Sequence, residues 1–227
     1  RRDGNELLGS WLAGGGEVKL GGGALTVTGT VAPGHSAGEL TASGSGSVTL
    51  GETATFEAEL GGTISGKDSD RMLAGNATVN LAGTLDLSLL GDYFPEEFDE
   101  IEVLSAASIN GMFDAVAGMN LGDNRAWGVL YGAGSVSVKA ATMGDTNFDG
   151  DVNGLDLTAL AAGWDQPGDW SDGDLNGDGT VNGLDLTALA GNWDGDWDLP
   201  AGTIPEPASL ALLGLGGVAL LRRRRRS

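Results

Sequence analysis

The chain has no cysteine and a single histidine among its 227 residues. Without thiols there is no disulfide and no thiolate metal site. The one imidazole, His35, sits in a Pro-Gly-His-Ser turn. It reads as a solvated turn residue, which leaves no histidine for a Ser-His-Asp triad or a histidine-rich zinc site. Basic residues are scarce in the same way. Of twelve, seven lie at the extreme ends, and the interior holds only Lys19, Lys67, Arg71, Arg125 and Lys139. With a net charge of −20 and no basic patch to neutralise phosphates, nucleic acid is excluded as a partner. A polysaccharide lyase, which needs cations as base and neutraliser, is poorly served as well. Proline is rare, six against 41 glycines, which indicates tight turns and close-stacked backbone rather than a disordered linker. The chain begins at Arg1 with no apolar targeting segment, so it is expected to be a fragment with a signal peptide upstream.

What is present up to about residue 140 is alternation of period two. Leu25 and Val27, then Phe56, Ala58 and Leu60, then Leu85, Leu87 and Leu89 stand against polar neighbours. Such alternation predicts strands with one buried face. Further strands are expected at 47–50, 78–81, 101–104, 128–131 and 135–139, with glycine turns at 21–23, 44–46 and 61–62. The pattern fits a β-sandwich, a barrel or a right-handed β-helix. Glu96, Glu97, Asp99 and Glu100 cluster after Tyr93-Phe94-Pro95. Two of them could in principle form a glycosidase carboxylate pair, but their adjacency predicts a solvated turn.

The centre of organisation is a duplication, VNGLDLTALA at 152–161 and again at 181–190, each copy preceded by an acidic loop. A hard cation such as calcium takes about six to eight oxygens, supplied by a short loop from its first, third and fifth positions, a carbonyl at the seventh, a water at the ninth and a carboxylate at the twelfth. The first loop offers Asp145, Asn147, Asp149, the Asp151 carbonyl, Asn153 holding water, and Asp156. The second offers Asp174, Asn176, Asp178, the Thr180 carbonyl, Asn182 holding water, and Asp185. Gly150 and Gly179 stand at the sixth position, where the chain must turn sharply. Magnesium demands tighter octahedral geometry, so the spacing predicts two calcium ions. After each loop, Leu157, Leu160, Ala161 and Trp164, and likewise Leu186, Leu189, Ala190 and Trp193, fall at helical spacing. Helices of roughly ten residues are too short to stand alone in water. Calcium binding and folding are therefore expected to be coupled.

This duplicated loop–helix resembles a type I dockerin, the EF-hand-like calcium module that plugs enzymes of cellulosome-like assemblies into cohesin domains. The resemblance implies a cohesin-like partner read by the residues just before the twelfth position, here Gly154, Leu155, Gly183 and Leu184. In well-studied dockerins those positions are polar. The two repeats would present two equivalent faces to a cohesin-like protein, or to another copy of the chain in self-association. The segments 23–40 and 82–113 resemble the last coils and cap of autotransporter-type passenger β-helices.

At the C-terminus, Pro205-Glu206-Pro207 is followed by fourteen apolar or small residues at 208–221 and by Arg222, Arg223, Arg224, Arg225 and Arg226. As a helix the run spans roughly 21 Å, short of the ~30 Å hydrocarbon core unless its flanks and local thinning help. The basic cluster would stay cytoplasmic and leave the acidic bulk outside. These elements, in this order, closely resemble the PEP-CTERM sorting signal, which implies export, a transient transmembrane anchor and recognition by an exosortase-type membrane enzyme.

The expected organisation is a leader at 1–17, a mainly β body at 18–142 (the end of a right-handed β-helix, or sandwich-like), a small α dockerin-like domain at 143–195, an acidic linker at 196–204 and a sorting tail with a C-terminal hydrophobic helix at 205–227. The function this implies is docking and assembly by an exported bacterial surface or matrix protein, not catalysis. The alternative is the C-terminal part of a dockerin-bearing polysaccharide-degrading enzyme whose catalytic domain lies upstream.

Overall fold

The computed structural model describes residues 6–34 and 36–194. His35, the acidic linker and the sorting tail with its expected hydrophobic helix lie outside them. Among the described residues no helix is long and apolar enough to cross a membrane.

The body is mainly β, a curled sheet of thirteen strands. In chain order they are β1 (Glu6–Gly14), β2 (Gly16–Lys19), β3 (Ala24–Pro33), β4 (Glu39–Ser43), β5 (Gly46–Leu50), β6 (Thr55–Leu60), β7 (Arg71–Asn80) and β8 (Thr84–Leu89). There follow β9 (Glu100–Asn110), β10 (Ala115–Ala117), β11 (Asn120–Gly122), β12 (Arg125–Tyr131) and β13 (Ser135–Thr142). From β1 to β10 every pairing is parallel, and like residues stack on like. In one ladder Leu25 pairs with Val48 and Val48 with Val79. A second aligns Val31, Phe56 and Leu85, and a third Leu40, Met72 and Leu104. All nine of these side chains are buried in one core. The alternation in the sequence is thus the inward face of each strand, and parallel stacking brings each inward residue above its counterpart in the next strand.

The outer faces stack as well. Asn110 donates from Nδ2 to Asn80 Oδ1 at 3.0 Å, and Asn80 Nδ2 donates to Thr49 Oγ1 at 3.1 Å. Arg71 lies between Glu39 and Glu102, which belong to its two neighbouring strands, with Nε at 3.1 Å and Nη1 at 3.4 Å. We expect Arg71→Ala to lower stability by about 1 kcal/mol, because it leaves two partly buried carboxylates facing each other without a counterion. Urea unfolding of the two forms checks this. A loss within error of zero would mean that the triad is a solvated contact only.

Asp70 is buried and accepts from the Gly38 N–H at 2.9 Å and the Glu59 N–H at 3.1 Å. Burial raises its carboxyl to about 6, against an ordinary 3.8, despite those two bonds. The folded form therefore holds a proton that the unfolded chain has released between those values, and stability falls as pH rises from about 4 to about 6. Such a shift is worth on the order of 3 kcal/mol. Asp70→Asn is expected to remove that slope, as urea midpoints at pH 4.5 and 7 would show.

Two expectations are corrected here. Residues 6–14, expected within a leader, form β1 and pair with β3. Leu89, expected on the inward face, is 38% exposed. Strand β10 covers β8 only over Thr84–Asp86, so among the described residues no further strand covers the far end of β8. At the opposite end of the sheet, beyond β7, strands β9, β13, β12 and β11 pair antiparallel. Strand β12 is buried on both faces: Trp127 and Val129 point into the β core, while Ala126 belongs to a second core shared with the loop–helix repeat.

Candidate functional site

The two acidic loops fold to the same hydrogen-bond pattern. In the first, Asp145 accepts from the N–H groups of Asp149 at 3.1 Å and Gly150 at 3.0 Å. Asn147 Oδ1 accepts from Asp149 N–H at 2.8 Å, and Asp149 Oδ1 from Asp151 N–H at 3.0 Å. In the second, Asp174 accepts from Gly177, Asp178 and Gly179 N–H groups at 3.0, 3.3 and 2.9 Å. Asn176 Oδ1 accepts from Asp178 N–H at 2.8 Å, and Asp178 Oδ1 from Thr180 N–H at 3.0 Å. Gly150 and Gly179 have φ of +93° and +82°, the left-handed turn that the sixth position requires.

Asp156 and Asp185 are fully buried and tie each loop's start to its end. Asp156 accepts from Thr146 N–H and Oγ1 at 2.8 and 2.9 Å through Oδ1, and from Asn153 N–H at 2.8 Å through Oδ2. Asp185 does the same for Leu175, Asn176 and Asn182 N–H groups at 2.9, 3.1 and 2.8 Å. Helices α1 (Gly154–Ala162) and α2 (Gly183–Gly191) start directly from this arrangement. Asn153 Oδ1 accepts from Leu155 N–H at 2.8 Å and Asn182 Oδ1 from Leu184 N–H at 2.9 Å. These asparagines are N-caps of complete capping boxes, a role the ligand spacing alone did not suggest although Asn-x-x-Asp is the signal for it. The helix faces are also narrower than expected. Leu160 and Leu189 are buried, but Ala161 and Ala190 are exposed, and Trp164 and Trp193 lie past the helix ends.

Electrostatics favour a cation. Burial raises the Asp174 carboxyl to about 6, and its neighbours Asp185 and Asp178 push the same way. Asp145 is raised by burial, then by Asp156 and Asp149. Among the described residues no ion pair reaches either loop. The side chains face their loop N–H groups, so among the described residues no three His, Cys, Asp or Glu groups converge on one point. The donor set nonetheless fits a hard ion: carboxylate, amide and peptide oxygens, no nitrogen or sulfur, and buried like charges that a cation would neutralise.

The repeat does not stand apart from the β body, for all described residues belong to one compact unit. Its second core joins Met119, Ala126 and Ala141 of the body to Val152, Leu160, Trp170, Leu175, Val181 and Leu189. Trp170 lies in the unrepeated insert between the copies, where periodicity gives it no signal. Its Nε1 donates to the Asp145 carbonyl at 2.6 Å, its ring stacks on Phe148 with centroids 6.2 Å apart, and a β-carbon on Gly128 would lie 2.7 Å from it. Lys139 stands between two rings, 4.8 Å from the Phe148 centroid and 5.5 Å from Phe98. Asp194 closes the module by accepting from Val152 N–H at 2.6 Å.

Gly154, Leu155, Gly183 and Leu184 are exposed at the helix starts, Leu155 at 64% and Leu184 at 65%. A β-carbon on either glycine would meet nothing within 4 Å. The cluster after Tyr93 is a structural turn: Asp99 accepts from Glu96 N–H at 2.9 Å and from the Tyr93 hydroxyl at 3.3 Å, and Glu97 accepts from Thr142 Oγ1 at 3.2 Å.

Residues 143–192 match the family model of the Dockerin type I domain, and residues 203–226 that of the PEP-CTERM protein-sorting motif. The chain thus carries both segments that its sequence resembles. Type I dockerin domains are generally calcium-binding and bind cohesins, and the sorting motif is associated with exosortase processing. Neither the curated proteins nor the solved structures contain a match to the chain.

Proposed function

We propose that this chain is an exported bacterial surface or matrix protein that binds two calcium ions, one in each acidic loop, and docks through the exposed starts of α1 and α2. Export, docking and C-terminal sorting follow from its two matched segments. The observation that carries the docking face is the pair Leu155 and Leu184, each about two-thirds exposed in a module whose other repeated leucines are more covered. An apolar side chain held rigidly at a helix N-terminus is a ready anchor for a partner's pocket. The partner is a cohesin-like domain whose reading positions are apolar, matching Gly-Leu in place of polar residues. Self-association through the same face is the other outcome. The β body, a curled sheet stacked largely in parallel ladders, serves as a stalk or spacer. Catalysis is not part of this reading.

The test is binding of the full chain to immobilised cohesin domains in calcium. Leu155→Glu combined with Leu184→Glu is expected to weaken binding at least ~10-fold, since a buried anchor is worth about 2 kcal/mol or more. Sedimentation of the free chain reports self-association. Monomeric chain that binds no cohesin in saturating calcium would remove the docking reading.

A further inference from the structure

The two loops are alike in sequence and in internal hydrogen bonding, yet they meet the β body differently. At the fourth position the first loop has Phe148 and the second has Gly177. Phe148 reaches the body with its side chain, which lies under Lys139 of β13 and stacks on Trp170 of the insert. Gly177 reaches it with its backbone, and its carbonyl accepts from Val116 N–H of β10 at 2.7 Å. Among the described residues strand β10 is the last of its ladder, paired with β8 on one side only. The second loop therefore supplies a partner that an edge strand otherwise lacks. A side chain at this position is disfavoured twice over, by the φ of +71° and because a β-carbon on Gly177 would displace the Met119 sulfur and lie 3.0 Å from Val116. Gly179 is equally close, with its β-carbon position 2.8 Å from the Asp114 carbonyl oxygen.

The peptide between Gly177 and Asp178 thus has two attachments. Its oxygen accepts from β10, and its N–H donates to Asn176 Oδ1 at 2.8 Å and Asp174 Oδ1 at 3.3 Å. Both of those side chains are calcium-ligand candidates. One rigid peptide plane joins the candidate cation site to the open edge of the β body.

We infer that the second loop is a calcium-operated clamp on the β body, in which cation binding at Asp174, Asn176 and Asp178 and the ordering of β10 stabilise each other. The inference rests on the calcium reading above. It assigns the module a role within its own chain besides any partner, and it makes the two loops inequivalent: the second is linked to β10 and the first is not. By linkage, whatever calcium adds to β10, β10 adds to calcium affinity.

The experiment follows amide hydrogen exchange in the full chain, with calorimetry in parallel to count bound calcium. In saturating calcium the Val116 amide is expected to exchange at least ~10-fold more slowly than in chelator, towards a ceiling of about 100-fold when the free ion is at 100 times Kd. Val48, in the middle of the parallel stack, should not respond. Asp174→Ala should abolish the response at Val116, whereas Asp145→Ala should leave it. If calcium binds and Val116 does not respond, or responds equally in both variants, the clamp is wrong and the calcium sites stand. If calorimetry finds no bound calcium, the clamp and the calcium reading fall together.

Discussion

Replacing Asp145 and Asp174 by alanine in one protein is expected to abolish calcium binding and to leave the parallel ladders folded. Each of these carboxylates accepts the N–H groups that shape its loop, at 3.0–3.1 Å in the first and 2.9–3.3 Å in the second. Their loss removes both a first-position ligand and the loop's own scaffold. A site held at 100 times its Kd contributes about 2.7 kcal/mol to the folded form. Loss of one such site lowers Tm by roughly 5 °C or more in a chain of this size. Wild type should therefore melt clearly lower in chelator than in calcium, and the double variant should melt alike in both. The β-sheet circular dichroism of the variant should persist, because the β core draws on none of the loop residues. A variant that keeps its calcium-dependent rise in Tm would show that the stabilising ion sits elsewhere.

Trp170→Ala is expected to cost about 3–5 kcal/mol, the range for deleting a large buried aromatic. The side chain is 1% exposed and joins the first loop, through the Asp145 carbonyl and the stacked Phe148, to the body at Gly128. No neighbour can collapse into the space cheaply, since Gly128 has no side chain to offer. Trp170→Phe keeps most of the ring and loses the 2.6 Å bond to the Asp145 carbonyl, so a smaller loss of about 1 kcal/mol is expected. Urea unfolding of the three proteins in calcium gives the comparison. Equal stability of Trp170→Ala and wild type would mean that the repeat and the body are not held together as described.

Much of this was legible in the sequence, because the signals were repeats and alternation. The inward residues Leu25, Val27, Phe56, Ala58, Leu60, Leu85 and Leu87 are all buried, since period-two patterning is fixed by the pleat itself. The family of the acidic repeat could be read because its chemistry needs given residue types at given spacings. Three things were not legible. Burial of Leu89 depended on whether another coil extended over it, which is a property of a distant strand. Helical periodicity alone gives no sign of where the helices stop: they end at the caps Gly163 and Asn192, which leaves Ala161 and Ala190 exposed and Trp164 and Trp193 past the helix ends. The union of body and repeat was hidden because it rests on absences: small residues at Ala126, Gly128 and Gly177 carry no pattern until Trp170 and Met119 are seen against them.

The account stands most directly on a calcium titration of the full chain by calorimetry, with the Asp145→Ala, Asp174→Ala double variant as reference. Two equivalents bound by the wild type, none by the variant, and reversal by chelator are the predicted result. A wild-type chain that binds no calcium, or a variant that binds as well as wild type, would contradict it.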